Sequence, residues 1–189
     1  MDTRVKSIQF DEEAHKYFYG GKELHGVTGA IGKLMGKSFP DTDIVKLATI
    51  YGSDVHKEVE NYYNSDNKIL SSDGAKWVVE YLEQFKLKHF VNKIECEVMV
   101  SDFEGTASKI DVVVRTDVGA YIFDIKTTSH FDRVYCSLQL SVYKKLYEQC
   151  YEDNIIGMFV LGTKSKRAFR ILEQEQTKVD KILAMNKRE

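Results

Sequence analysis

The chain has 189 residues, of which 43% are hydrophobic and 30% charged, and a formal net charge of −2. This is one-domain length, enough to bury a real core, with the composition of an ordinary soluble globular protein. The near-neutral charge argues against a generally basic nucleic-acid binder, and no low-complexity segment or internal repeat is present. Charge is nevertheless segregated: residues 163–189 hold eight Lys/Arg against four Asp/Glu, a local +4 that makes this end a candidate for a basic groove or a solvated helical face. Cys96, Cys136 and Cys150 form no CxxC pair and read as reduced thiols of a cytoplasmic protein. The polar N-terminus lacks a signal-peptide core, and no run approaches the roughly 18–20 apolar residues of a membrane span.

In chain order, residues 7–19 suit a short strand or hairpin arm, with Gly20-Gly21 as its turn. Gly26-Val27-Thr28-Gly29 leads into an amphipathic segment that Gly36 ends. Pro40, the only proline, precedes Asp41-Thr42-Asp43, a candidate helix cap. Ile44, Leu47, Ala48 and Tyr51 follow at helical spacing. Gly52 should then interrupt the helix, Ser53 or Asp54 recap it, and Val55 and Val59 continue the apolar stripe. His56 and Glu60, four apart, share a face. Ser71-Ser72-Asp73 should cap a further helix that buries Trp77, Val78, Tyr81, Leu82 and Phe85.

Three strands are expected next. In the first, Ile94, Cys96, Val98 and Val100 alternate with Glu95, Glu97 and Met99. In the second, Ile110, Val112 and Val114 share one face, with Asp111 and Val113 on the other. Residues 116–119 form the turn. The third, Ala120 to Lys126, puts Ile122, Asp124 and Lys126 on one face. In-register pairing would set Asp111 beside Asp124 and Lys126 at the end of the sheet. Two carboxylates and an ammonium there suit a hard divalent cation and a phosphate, because Mg²⁺ is usually held by one or two carboxylates with water and phosphate oxygens. A helix over about 131–151 should bury Leu138, Val142 and Leu146. A strand at 154–161, another at 168–172 and a final helix complete the pattern, an α/β (α+β) fold with a mixed sheet flanked by helices. The expected organisation is one domain, with an arm over 1–42, a core over 43–162 and a basic end over 163–189.

Asp111, Asp124-Ile125-Lys126, Gln139 and Tyr143, preceded by Gly52-Ser53-Asp54-Val55-His56-Lys57-Glu58, resemble the PD-(D/E)XK nucleases, in particular the RecB-like exonuclease branch with its Gln-x-x-x-Tyr helix. The opening Phe10-Asp11-Glu12-Glu13-Ala14-His15-Lys16-Tyr17 with Gly26-Val27-Thr28 is similar to that of small phage-type exonucleases. The resemblance covers roughly residues 8–160 and implies a restriction-endonuclease-like αβββαβ core. It further implies Mg²⁺ or Mn²⁺ held by Asp111, Asp124 and His56, touched by the Ile125 carbonyl, with Lys126 as the catalytic lysine. Glu97 is a candidate third carboxylate, with Glu95 an equally placed rival, and Glu60 a candidate orienting group. Gln139 and Tyr143 would hold Lys126 and contact the DNA backbone, and Thr127 and Thr128 would donate to phosphate.

One departure is that Ser108 stands where the family has a small, glycine-containing segment before its first hairpin aspartate. Three cysteines in total exclude a four-Cys iron–sulfur cluster, and no Gly-x-x-x-x-Gly-Lys-Ser/Thr loop is present, so no helicase motor is expected. The resemblance thus implies a metal-dependent DNA exonuclease of recombination, replication or repair, acting on single strands or duplex ends. A single-strand annealing or replication protein is its implied partner. The alternatives are a catalytically silent nucleic-acid-binding or adaptor module on the same fold, and a structural or inhibitory phage protein.

Overall fold

The computed structural model describes residues 1–36 and 43–187, and of residues 43–48 the backbone alone. After a 3-10 turn at Thr3–Ser7, strands β1 (Gln9–Asp11), β2 (Lys16–Tyr19) and β3 (Lys22–Leu24) form a three-stranded antiparallel sheet. Gly20 and Gly21, at φ 57 and 82, make the expected two-residue turn between β2 and β3, a backbone that glycine adopts at no steric cost. A second turn, at 12–15, divides what reads in the sequence as one arm.

Helix α1 (Val27–Met35) ends at Gly36, as expected. Helix α2 (Asp43–Asn64) is continuous through Gly52, so the expected interruption and recap are absent. Gly52 is needed for close approach instead: a Cβ there would lie 3.0 Å from Thr127 Oγ1. Pro40 and the candidate cap residues Asp41 and Thr42 lie outside the described residues, as do the side chains of Ile44, Leu47 and Ala48. Helix α3 (Asp73–His89) is capped by Ser72, whose hydroxyl accepts from the Ala75 amide.

The main sheet has the order β4 (Val91–Ser101), β5 (Ala107–Thr116), β6 (Gly119–Lys126), β7 (Ile155–Gly162), β8 (Arg167–Arg170). All neighbours are antiparallel except β6 and β7, which run parallel. Helix α4 (Arg133–Tyr151) makes the crossover a parallel pair requires, and α5 (Gln176–Asn186) follows β8. The fold is therefore α+β, with the expected succession of helix, three strands, helix and strand. Among the described residues no helix is long and apolar enough to cross a membrane.

Helices cover both faces. Leu140, Val142, Leu146 and Tyr147 of α4 pack with Ile122, Val113, α1 and α5. On the other face Val55, Val59, Val78, Leu82 and Phe85 of α2 and α3 pack with Val112, Val114, Phe123 and Ile125. Trp77 and Tyr81, expected in the core, are half-buried at its edge.

The strand alternation expected for β4 and β5 fails at one rung. Cys96 and Val112 face α2 and α3, whereas Val98, Val100 and Ile110 face the α4 side. Ile110 and Val112 therefore do not share a face, nor do Cys96 and Val98. The backbone pairs Cys96–Val112 and Val98–Ile110 keep their register around the rung of Glu97 and Asp111. In β4 the exchange falls at Glu97, at φ 54, a left-handed conformation that turns the chain over within the strand.

Helix α4 carries residues of the expected site, so its start matters. The Asp132 carboxylate accepts from the amides of Val134 (2.8 Å) and Tyr135 (3.0 Å). Removing such a cap costs about 1 kcal/mol. Asp132→Ala should accordingly lower the midpoint of urea unfolding without changing its slope, and Asp132→Asn or Asp132→Ser should recover most of the loss.

Candidate metal centre and cleft

Three elements bring their side chains to the broken rung. Helix α2 supplies His56, β4 supplies Glu97 and β5 supplies Asp111, and one donor atom from each lies within 4.8 Å of the others. The backbone turn at Glu97 places this side chain here, opposite Asp111. Glu95 points to the other face, where Arg115 (2.6 Å) and Lys93 (2.8 Å) pair with it. The two glutamates are thus not equivalent, contrary to strict alternation.

The ladder between β5 and β6 ends at Val112–Phe123, one rung short of Asp111 and Asp124. The next β6 amide, that of Ile125, donates instead to Asp111 Oδ2 at 2.7 Å. The Ile125 carbonyl faces His56 Nε2 at 3.1 Å. A carbonyl can only accept, so Nε2 carries the hydrogen. That leaves Nδ1 as the ring nitrogen toward Asp111, 3.6 Å from Oδ2. Imidazole nitrogen and two carboxylates suit Mn²⁺ well and Mg²⁺ adequately. Bonds of about 2.1 Å span donors up to roughly 4.2 Å apart, so this trio needs only small side-chain adjustments to hold such an ion. Burial, with the facing Asp111 carboxylate second, pushes the Glu97 carboxyl up to about 7 against the pull of Lys109.

Asp124 lines the same cleft but stands outside the trio. Its buried carboxylate is held by the Lys126 ammonium at 3.0 Å on Oδ1 and 2.9 Å on Oδ2. Burial acts to lower the Lys126 pKa, but Asp124 and then Asp111 outweigh it and hold the lysine protonated. Burial raises Asp124 against the pull of Lys126, with Asp111 adding to the rise. From α4, Gln139 Oε1 accepts from Lys126 at 3.4 Å and Gln139 Nε2 donates to the Tyr143 hydroxyl at 3.0 Å. Ser108 donates to the same hydroxyl at 3.2 Å. Ser108 thus joins a hydrogen-bond chain that runs through Tyr143 and Gln139 to Lys126. Tyr143 is buried, at the inner wall of the cleft.

These groups line one cleft of about 980 Å³. Thr127 lies on its wall, against Gly52. Thr128 also lines it but donates its hydroxyl to the His130 carbonyl at 2.8 Å, which makes it a turn residue. Glu60 pairs with Lys57 at 2.9 Å. No Lys or Arg between 163 and 187 lines the cleft, so among the described residues the basic end is no part of it; Lys178 and Lys187 there pair with Glu175 and Glu104. The cleft's lysines are 57, 109 and 126, against carboxylates at 12, 60, 97, 111 and 124, a balance that favours a cation. Lys109 and the wall formed by β1 and β2 are cleft residues that the sequence does not assign to a site. The signal in the sequence is the aromatic run at 10–17, which reads there as a strand or hairpin arm and as part of the family resemblance, with no wall of a cleft implied.

Comparison with known proteins yields no matching family model and no matching curated relative.

An ion held by this trio must displace the proton from Glu97, whose raised pKa keeps the group protonated below about 7. Apparent Mn²⁺ affinity, followed by calorimetry, should therefore climb as pH rises through 7 and level off above it. Glu97→Gln should weaken binding and flatten that climb. A wild-type profile independent of pH between 5.5 and 8 would contradict the assignment.

Proposed function

We propose that this chain is a divalent-metal-dependent deoxyribonuclease of the RecB-like PD-(D/E)XK type, hydrolysing phosphodiester bonds as an exonuclease. One observation carries the reading: His56, Glu97 and Asp111, distant in sequence, gather within 4.8 Å in a cleft that also holds Lys126. The Gln139–Tyr143 pair beside Lys126 supports it further, since the resemblance assigns those residues to holding the lysine. Exonuclease rather than endonuclease action, and a place in phage-type recombination, replication or repair, rest on the resemblance alone.

A bound divalent ion would polarise the phosphate and make water more acidic beside it. His56, Glu97 and Asp111 would hold that ion, while the Ile125 carbonyl, which accepts from His56 Nε2, would orient the imidazole and not touch the ion as the resemblance implies. Asp124 would join them only by giving up part of its pairing with Lys126. Lys126 is an ammonium at neutral pH, so it serves to stabilise negative charge and not to accept a proton. That charge builds on the non-bridging oxygens as the water oxygen bonds to phosphorus and the bond to the 3′-oxygen breaks. The proton lost by water ends on the departing 3′-oxygen, leaving a 5′-phosphate and a 3′-hydroxyl. Gln139 fixes the lysine's direction, and Tyr143 with Ser108 fixes Gln139.

End-labelled single- and double-stranded DNA, incubated with Mg²⁺, Mn²⁺ or EDTA, tests this directly. Wild type should shorten the DNA from one end with either metal and leave it intact in EDTA. Lys126→Ala should cost roughly 10²–10³ in rate, as for other charge-stabilising donors, and Asp111→Asn should abolish cleavage. DNA that is bound but never cut would replace the nuclease by the silent binding module. DNA neither bound nor cut would remove both.

A further inference from the structure

Hydrolysis at the trio makes no use of one wall of the cleft. The loop between β1 and β2 is closed by Asp11 Oδ1, which accepts from the Ala14 amide at 2.9 Å. It ends in His15, exposed and held at φ 52. The His15 ring stands edge-on to Phe10, with centroids 5.2 Å apart. Phe10 is itself fixed: Tyr17 lies 4.7 Å away and Lys109 Nζ sits 4.1 Å over its ring. Lys109 is in turn 3.7 Å from Glu97 Oε2, too far for a hydrogen bond, so its ammonium keeps donors for another acceptor. An exposed ring, an aromatic support, an ammonium and the candidate ion site therefore follow one another along a single wall.

We propose that this wall is a nucleotide subsite for an unpaired strand. A base stacks on the His15 ring, and the phosphate next to it is taken by Lys109, which places the following phosphodiester at His56, Glu97 and Asp111. The inference rests on the nuclease reading and deepens it by naming the substrate as an unpaired DNA end. Stacking on a ring is indifferent to base identity and needs a base face, which an intact duplex keeps covered everywhere but at its last pair. Glu12, in the same loop and on the same cleft, repels phosphate from the tip, so the base goes to His15 and the phosphate to Lys109. His15 is backed by fixed groups and so loses little freedom on stacking.

The test is anisotropy of a short fluorescein-labelled oligothymidylate and of a blunt hairpin duplex, in Mg²⁺, on the Lys126→Ala background so that the DNA survives. The oligothymidylate should bind more tightly than the duplex. His15→Asn keeps a residue that accepts the left-handed backbone but removes the ring, and should weaken oligothymidylate binding roughly tenfold or more. His15→Phe should restore it; Phe90 and Phe103 adopt φ 50 and 60 in this chain, so phenylalanine is tolerated there. An abasic terminal nucleotide should erase the difference between His15 and Asn. Lys109→Ala should weaken binding and reduce its salt dependence by about one phosphate contact. Oligothymidylate bound equally well by His15→Asn, or not rescued by His15→Phe, would overturn the subsite and leave the nuclease reading standing. Failure of the parent protein to bind either DNA would overturn both.

Discussion

The site depends on one backbone distortion. Glu97, in the middle of an eleven-residue strand, takes a left-handed φ of 54, and with it β4 and β5 exchange their faces at the rung of Glu97 and Asp111. A non-glycine residue held this way costs of order 1–3 kcal/mol and persists only where its surroundings over-determine it. Here the surroundings are two apolar layers, one under α2 and α3 and one under α4, each filled by the residues that the exchange delivers to it. The distortion brings a carboxylate to face Asp111 and His56, which a regular strand would have sent to the opposite side with Glu95. The end of the β5–β6 ladder completes the arrangement, because Asp111 takes the amide that a strand neighbour would otherwise have bonded.

Asp124 and Lys126 form a second layer behind this rung. A buried ion pair gains little net stability, because desolvating both charges offsets their attraction, yet removing one partner leaves the other stranded. The pair is therefore better understood as a device for direction. Lys126 is pinned between Asp124 and Gln139, and Gln139 is pinned by Tyr143, whose hydroxyl also receives Ser108. Strand β5 and helix α4 are thereby joined at the point where the lysine faces the cleft. A cleft in which each lysine has a nearby carboxylate, with carboxylates left over, is better suited to a polyanion once a divalent cation has joined it.

Periodicity made the helices, the β4–β5–β6 meander and the α4 crossover legible, since long apolar stripes and alternations report burial directly. Asp124 and Lys126 were legible on the same ground, for β6 alternates without a fault. The position of Glu97 was not, because nothing local announces a left-handed glutamate within a strand. Gly52 misled for a related reason: a glycine inside a helical pattern signals a break when only local preference is considered, whereas here it makes room for Thr127, 75 residues away. The turn at 12–15 contains no glycine or proline to announce it, and without that turn the aromatic wall is not legible either. Charge alone marks the basic end, and charge carries no information about which surface it faces.

Cleft, broken rung and pinned lysine all converge on a divalent-ion site at His56, Glu97 and Asp111. Anomalous X-ray scattering from crystals of the protein grown with Mn²⁺ tests it most directly. One strong manganese peak is expected among the His56 imidazole and the Glu97 and Asp111 carboxylates, with Glu97 still left-handed. Crystals that bind manganese elsewhere, or show none at this rung at saturating metal, would contradict it.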